Sequence, residues 1–293
     1  MIRKVVIPAA GLGTRLLPAT KQQPKEMLPV FACMHANSQV CLKPLIQLVF
    51  EKLYENGFRE FCFVVGRGKR SIEDHFTLDN RIIEYLEKND KLEMVRELNQ
   101  FFEKVRSSTI FFVNQPEPKG FGDAVYQAKA FTGKEAFMVH VGDDFVISRN
   151  NGYLKRLVQT FETYDADAVF CVEKVKDPRK YGVIQSRKIS KKLYKVTGME
   201  EKPERPRSNM GIVAIYIFSE RIYDGIKKVK PDSAGEIQLT DGIQQLIDEH
   251  CNVYAIELDP RERRIDIGTP KSYWLAMRTC INMTKNLNNT QSK

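Results

Sequence analysis

Lys4-Val5-Val6-Ile7-Pro8-Ala9-Ala10-Gly11-Leu12-Gly13-Thr14-Arg15 sets a short apolar run against a glycine-rich turn and a cation. Residues 4–10 read as a buried strand, because a continuous apolar run suits a parallel sheet covered on both faces. The glycines behind it let the backbone turn sharply and come close to a ligand. Exposed N–H groups in such a turn can cradle phosphate. No Gly-Lys-Ser/Thr follows, so this is not a Walker A loop, and Leu16 stands where GxGxxG needs its third glycine. An ordinary strand-ending turn accounts for the glycines alone at least as well. Arg15 sharpens the signal, since its planar fork suits triphosphate oxygens.

Outward from this stretch, apolar runs alternate with amphipathic ones. A helix is expected over 44–56, with Pro at its start and Gly57 closing it. Strands are expected over 60–65, 109–114 and 136–141, and a helix over 123–131. Residues 79–106 read as two helices broken near Asn89-Asp90. This alternation predicts an α/β fold, a Rossmann-like and mainly parallel sheet flanked by helices. Beyond about residue 165 the pattern turns β-rich, with strands over 168–175, 183–189, 193–199, 212–218 and 253–257. Helices follow over 238–249 and 270–283. The expectation is a single domain over 1–282, its parts about 1–145 and about 146–282, with a polar tail over 283–293 that frays.

The chain has 293 residues, enough to bury a large core without staples. Its net charge of +9 suits acidic partners, phosphorylated metabolites or nucleic acid, although a solvated Lys-rich surface explains it too. No apolar segment is long enough for a signal peptide or a membrane span, so no membrane partner is expected. The 6 cysteines form no CxxC pair, and free thiols in a cytoplasmic protein are expected.

A second motif follows the first: Pro18-Ala19-Thr20-Lys21, then Gln23-Pro24-Lys25-Glu26-Met27-Leu28-Pro29. Its prolines fix the loop, and Lys25 offers another positive charge. Together with residues 9–15, and without gaps, this block resembles the sugar nucleotidylyltransferase family, and within it the bacterial and archaeal UTP–glucose-1-phosphate uridylyltransferases. The resemblance implies transfer of a uridylyl group from UTP to glucose 1-phosphate, giving UDP-glucose and pyrophosphate. It implies Arg15 and Lys25 as the catalytic grip on the triphosphate, with Ala10, Gly11, Gly13 and Thr14 along the nucleotide. It also implies a homo-oligomer, dimer or tetramer, and no nucleic-acid partner.

Further matches extend the resemblance over most of the chain. Gln115-Pro116 and Gly120-Phe121-Gly122 look like the segment that reads the base, through Gln115 and the Gly120 backbone. An amide both donates and accepts, which suits a base edge. The chain departs from the family at Asp123, where uridylyltransferases usually carry His. Asp143, in Val139-His140-Val141-Gly142-Asp143-Asp144, matches a metal-binding aspartate. Asp266, in Arg264-Ile265-Asp266-Ile267-Gly268-Thr269-Pro270, matches a second. Tyr181-Gly182-Val183 and Glu200-Glu201-Lys202-Pro203 resemble the sugar-phosphate pocket, with Gly182 and Glu201 on glucose hydroxyls and Lys202 on the phosphate. Each fragment alone reads as an ordinary turn or cap. Gly235-Glu236-Ile237-Gln238-Leu239-Thr240-Asp241 is expected to be mainly structural.

The chemistry such substrates need is restrained. A sugar phosphate is already anionic near neutral pH, so no general base is required. The 4 histidines form no recognisable triad. The work is alignment and charge neutralisation, with Mg²⁺ as the implied cofactor. Between Val30 and Lys43 the chain carries extra residues, including Cys33, His35 and Cys41, expected as a surface loop, since a zinc site lacks its fourth ligand. The nearest rival is a glucose-1-phosphate thymidylyltransferase using dTTP. A nucleotide-sugar glycosyltransferase would lack the Gly-x-Gly-Thr-Arg loop. A regulatory relative would have lost Arg15, Asp143 or Asp266.

Overall fold

The computed structural model describes residues 2–34, 39–148 and 150–291, the side chains of 284–291 excepted. The chain opens on β1 (Lys4–Pro8) and passes through 3-10 turns at Thr14–Leu16, Ala19–Lys21 and Lys25–Met27. A hairpin of β2 (Pro29–Cys33) and β3 (Val40–Pro44) leads into α1 (Leu45–Glu55). Then come β4 (Glu60–Val65), α2 (Arg70–His75), α3 (Asn80–Lys88), α4 (Leu92–Arg106), β5 (Thr109–Asn114), α5 (Phe121–Gln127), α6 (Lys129–Thr132) and β6 (Phe137–His140). The second half holds β7 (Asp144–Ile147), α7 (Gly152–Thr163), β8 (Ala168–Lys174), β9 (Gly182–Ser190), β10 (Leu193–Glu201), β11 (Met210–Phe218), α8 (Ile222–Lys228) and α9 (Leu239–Asp248). It ends with β12 (Val253–Glu257), β13 (Arg263–Asp266) and α10 (Pro270–Gln291).

Among the described residues nine strands form the central sheet, in the order β5-β4-β1-β6-β11-β8-β12-β10-β9. The first four are parallel, as expected. β11 enters antiparallel between β6 and β8, and β9 and β10 close the far edge as an antiparallel pair. The parallel half is doubly wound. β4 and β5 lie to one side of β1 and β6 to the other, so strand order reverses between β1 and β6. Ligands of open α/β sheets bind at such a point, beyond the carboxyl ends of the strands.

Alternate side chains of β1 supply both cores. Val5 and Ile7 join a layer with Phe50, Phe61 and Phe63, whereas Val6 joins Phe137, Phe170 and Phe218 on the other face. A strand buried on both faces needs the unbroken apolar run that residues 5–8 carry.

Two expectations are corrected. The extra residues after Val30 are not a loose surface loop. They build β2 and β3, paired from Pro29↔Pro44 to Cys33↔Val40, and the Tyr273 hydroxyl of α10 donates to the Pro29 carbonyl at 2.7 Å. Cys33 and Cys41 are half-buried free thiols, and His35 lies outside the described residues. The last helix runs on to Gln291 instead of ending at Met283.

Two histidines are held uncharged, His140 buried and His75 half-buried. His75 lies 3.0 Å from Gln47 Oε1 and packs on Phe76 and Phe101. His140 is 1% exposed, with Nδ1 2.9 Å from the Val141 carbonyl. Burial pushes each down to about 4. Their folded values lie below the unfolded one near 6.5, so the unfolded chain binds more protons below that value. Stability is therefore expected to fall as pH drops from about 6.5 towards 4. The loss between pH 7 and pH 5 is on the order of 2 kcal/mol per histidine. Denaturant melts at the two pH values measure it, and His75→Gln should remove about half of the slope. A parent curve flat over this range would contradict the assignment.

Candidate active site

The turn after β1 is held open from behind. Gly13 adopts φ +66°, and a Cβ there would lie 3.2 Å from Thr20 Cβ. Thr20 Oγ1 donates to the Gly13 carbonyl at 2.7 Å, tying the second 3-10 turn to the glycine turn. Arg15 sits in the first 3-10 turn and Lys25 opens the third, so the two cations flank one cleft.

Lys25 Nζ lies 2.5 Å from Asp143 Oδ2, in the turn beyond β6. Burial alone would lower the lysine, but Asp143 and then Glu26 outweigh it and raise it. For Asp143 burial pushes up, and Lys25 more than cancels it, leaving the carboxyl below its ordinary value. Both partners are thus charged at neutral pH. Glu26 is 1% exposed and accepts from Lys69 Nζ at 3.0 Å, which anchors the loop that carries Lys25.

A small ribbon brings the second aspartate to the first. β7 and β13 pair antiparallel with Asp144 opposite Asp266, and the Ile267 N–H donates to the Asp143 carbonyl at 3.3 Å. Asp266 Oδ1 accepts from the Gly268 N–H at 2.8 Å. A Cβ on Gly268 would meet that oxygen at 2.9 Å and Arg15 Nη2 at 3.0 Å, so only glycine lets the arginine lie there. Asp144, which also lines the cleft, pairs with Arg264, whose other side faces Glu173 at 3.7 Å. Burial pushes Asp144 up to about 7 against the pull of Arg264, and Asp266 and Asp143 add to the rise.

The cleft has two joined lobes. The first, of about 460 Å³, is lined by Arg15, Asp143, Gly182, Glu201, Lys202 and Asp266, among others. The second, of about 410 Å³, includes Ala10, Gln115 and Gly120. Gly11, Gly13, Thr14, Lys25 and Asp143 line both, so the lobes meet at the Lys25–Asp143 pair. Every residue that the resemblance assigns to catalysis, nucleotide, sugar phosphate or metal lines one lobe or the other, whereas Asp123, Cys33 and Cys41 line neither.

In the first lobe Gly182 stands opposite Glu201 in the β9–β10 register. A Cβ on Gly182 would meet Glu201 Oε2 at 2.9 Å and Thr240 Oγ1 at 3.0 Å. Thr240 Oγ1 donates to Glu201 Oε2 at 2.7 Å, and Lys202 Nζ lies 3.0 Å from Glu201 Oε1. In the second lobe Gly120 adopts φ +96°, and its Cβ would lie 2.7 Å from the Ile237 carbonyl. The Gly122 N–H donates to that carbonyl at 2.8 Å, and the Ile237 N–H to Lys119 O at 2.7 Å. The Gly235–Asp241 motif thus pins the loop before α5, a structural role, while Glu236, Gln238 and Thr240 also line the cleft. Thr240 and Arg264 are among the cleft residues whose part the sequence did not disclose. Their partners lie 39 and 120 positions away, and no local spacing marks them.

Comparison with known proteins gives the family of the chain. The family model described as nucleotidyl transferase matches residues 4–282. A chain of Methanocaldococcus jannaschii is 40% identical over 272 residues, covering 92% of this chain and 89% of that one. A UTP–glucose-1-phosphate uridylyltransferase of Pseudomonas aeruginosa is 34% identical, covering 96% of each. Among solved structures, a UDP-glucose pyrophosphorylase complexed with UDP-glucose superposes with TM-score 0.82 at 31% identity, over 97% of this chain and 100% of that one. A UTP-bound enzyme of the same kind from Acinetobacter baumannii gives 0.82 at 29% identity, over 95% and 93%. With a family model spanning nearly its whole length, the chain belongs to the nucleotidyl transferase family.

Proposed function

We propose that this protein transfers a uridylyl group from UTP to glucose 1-phosphate, giving UDP-glucose and pyrophosphate. The observation that carries the proposal is the pair of lobes joined at Lys25 and Asp143. One lobe suits a base and the other a sugar, and the junction is where an α-phosphate would lie. The relatives named for this reaction, and the neighbours bound to UTP and to UDP-glucose, support it. On this reading residues of about 1–145 supply the nucleotide side and those of about 146–282 the sugar side.

In the reaction a phosphate oxygen of glucose 1-phosphate attacks the α-phosphorus of UTP. One P–O bond forms, the α–β bridge breaks, and pyrophosphate leaves in line. Glu201, braced by Thr240, accepts from sugar hydroxyls, and Gly182, lacking a Cβ, lets Glu201 and Thr240 lie there. Lys202 holds the sugar phosphate. Lys25 lies at the junction to offset charge at the α-phosphate, and Arg15 grips the outer phosphates together with the backbone of the glycine turn. No side chain needs to remove a proton. Asp143 and Asp266 offer oxygen ligands only, and just one Asp143 oxygen is taken by Lys25, a donor set that fits Mg²⁺. Bound there, the ion would neutralise phosphate charge.

The purified protein with UTP, glucose 1-phosphate and Mg²⁺ is expected to release pyrophosphate and form UDP-glucose. UTP should be preferred and dTTP partly accepted, because a methyl or a hydroxyl is worth only about 1–3 kcal/mol in such a pocket. ATP and GTP should fail. An assay of four triphosphates against three sugar 1-phosphates decides the matter. Faster turnover with dTTP than with UTP would move the proposal to a thymidylyltransferase, and no turnover with any pair would end it. Among the described residues no helix is long and apolar enough to cross a membrane.

A further inference from the structure

Gln115 has its amide nitrogen fully committed. Nε2 donates to Asp123 Oδ2 at 2.6 Å and to the Gly120 carbonyl at 3.1 Å. The other Asp123 oxygen accepts from Gln127 Nε2 at 3.1 Å. Gln115 is 5% exposed and Asp123 9%, so water does little to loosen the arrangement. We propose that Asp123 fixes the orientation of the Gln115 amide and thereby selects a pyrimidine that carries a ring N–H. The inference rests on the reading of this lobe as the base pocket.

An ionised carboxylate only accepts hydrogen bonds, and so does a carbonyl. If the Gln115 amide turned over, its oxygen would face Asp123 and the Gly120 carbonyl together, two acceptor–acceptor contacts in a buried place. The amide therefore has one orientation, with Oε1 left to the cavity it lines. An outward acceptor needs a donor on the base. Uracil and thymine present N3–H at the middle of the pairing edge, while cytosine presents a lone pair there. Facing Gln115 Oε1, cytosine would bring acceptor against acceptor in a desolvated pocket, which polar sites reject strongly. The Gly120 carbonyl is already taken by Gln115 and by the Ala124 N–H, which leaves the Gly120 N–H as the second group for the base. Asp123 is thus a positioning residue, acting on the base through Gln115.

The test compares UTP and CTP on the full-length protein, by calorimetric binding and by kcat/KM with glucose 1-phosphate. The parent should favour UTP at least about a hundredfold. Asp123→Ala removes the acceptor, lets the Gln115 amide turn over, and should cut the UTP/CTP ratio about tenfold, UTP weakening while CTP gains or holds. Asp123→Asn should keep the ratio within about threefold. Its Oδ1 can still take the Gln115 amide, and Gln127, partly exposed, can turn to accept from Nδ2. A merely structural role would lower both nucleotides together and leave the ratio alone. If Asp123→Ala melts early, Asp123→Leu fills the space and still lacks the acceptor. An unchanged ratio in both apolar variants, or an Asp123→Asn ratio as low as theirs, overturns the role of Asp123. A parent that binds neither nucleotide overturns instead the reading of the lobe.

Discussion

Lys25→Met is expected to slow turnover with UTP and glucose 1-phosphate by roughly a thousandfold, about 4 kcal/mol of transition-state stabilisation. The variant keeps most of the stem and loses only the charge. That charge sits at the junction of the two lobes, where both substrates would bring phosphate oxygens. A cation held there in advance needs no reorganisation as charge builds up. It is held in advance: Asp143 lies 2.5 Å away, and Glu26 is anchored behind by Lys69. The same variant leaves Asp143 beside a methyl group. Losing one partner of a buried pair costs about 3–5 kcal/mol. Here the two side chains are 19% and 17% exposed at the cleft, so the lower end applies. A melting curve should show partial destabilisation, and saturating substrate should not restore the rate. If kcat/KM stays within about tenfold of the parent, Lys25 is only a structural partner of Asp143.

Much of the frame was legible because local chemistry sets it. β4, β5 and β12 are built on apolar runs, each run ending against a polar residue or glycine at or beside the strand end. The break between α3 and α4 falls at Asn89-Asp90, as two turn-forming residues require. Pairing is another matter. Nothing in residues 210–218 says that β11 will lie antiparallel between β6 and β8, because that choice depends on partners 75–81 and 36–50 positions off. β7 and β13 escaped notice for a different reason. They are short and carry Asp144, Arg263, Arg264 and Asp266, charges that read as loop. Yet this ribbon is what sets Asp266 beside Asp143. The site residues were found one by one through motif resemblance. The contacts that make them a site join residues 118 and 39 apart: Lys25 to Asp143, and Thr240 to Glu201.

Asp143→Asn and Asp266→Asn should each slow turnover by about a hundredfold, near 3 kcal/mol, yet part company in stability. The common loss follows from position. Both acids line the larger lobe, and the β7–β13 ribbon holds their backbones together. Asn keeps the shape and removes a negative charge from a site built of oxygen donors. The stabilities differ because the neighbours differ. Asp266 Oδ1 accepts from the Gly268 N–H, and an asparagine carbonyl can do the same. Replacing Asp266 also relieves repulsion with Asp144, whose carboxyl its charge pushes up. Asp266→Asn should therefore melt at or slightly above the parent temperature. Asp143 instead neutralises Lys25, whose ammonium burial alone would disfavour. Asp143→Asn leaves that cation with a neutral amide and Glu26 at 4.0 Å, and should lower stability by about 1–3 kcal/mol. The Asp143 carboxyl is held below its ordinary value. Its contribution is present at neutral pH and fades as pH falls through the folded value, so the two variants' melting temperatures should converge in acid. If Asp266→Asn turns over normally, the paired-acid proposal fails. If both variants melt together at pH 7, the Lys25–Asp143 pair contributes nothing to the fold.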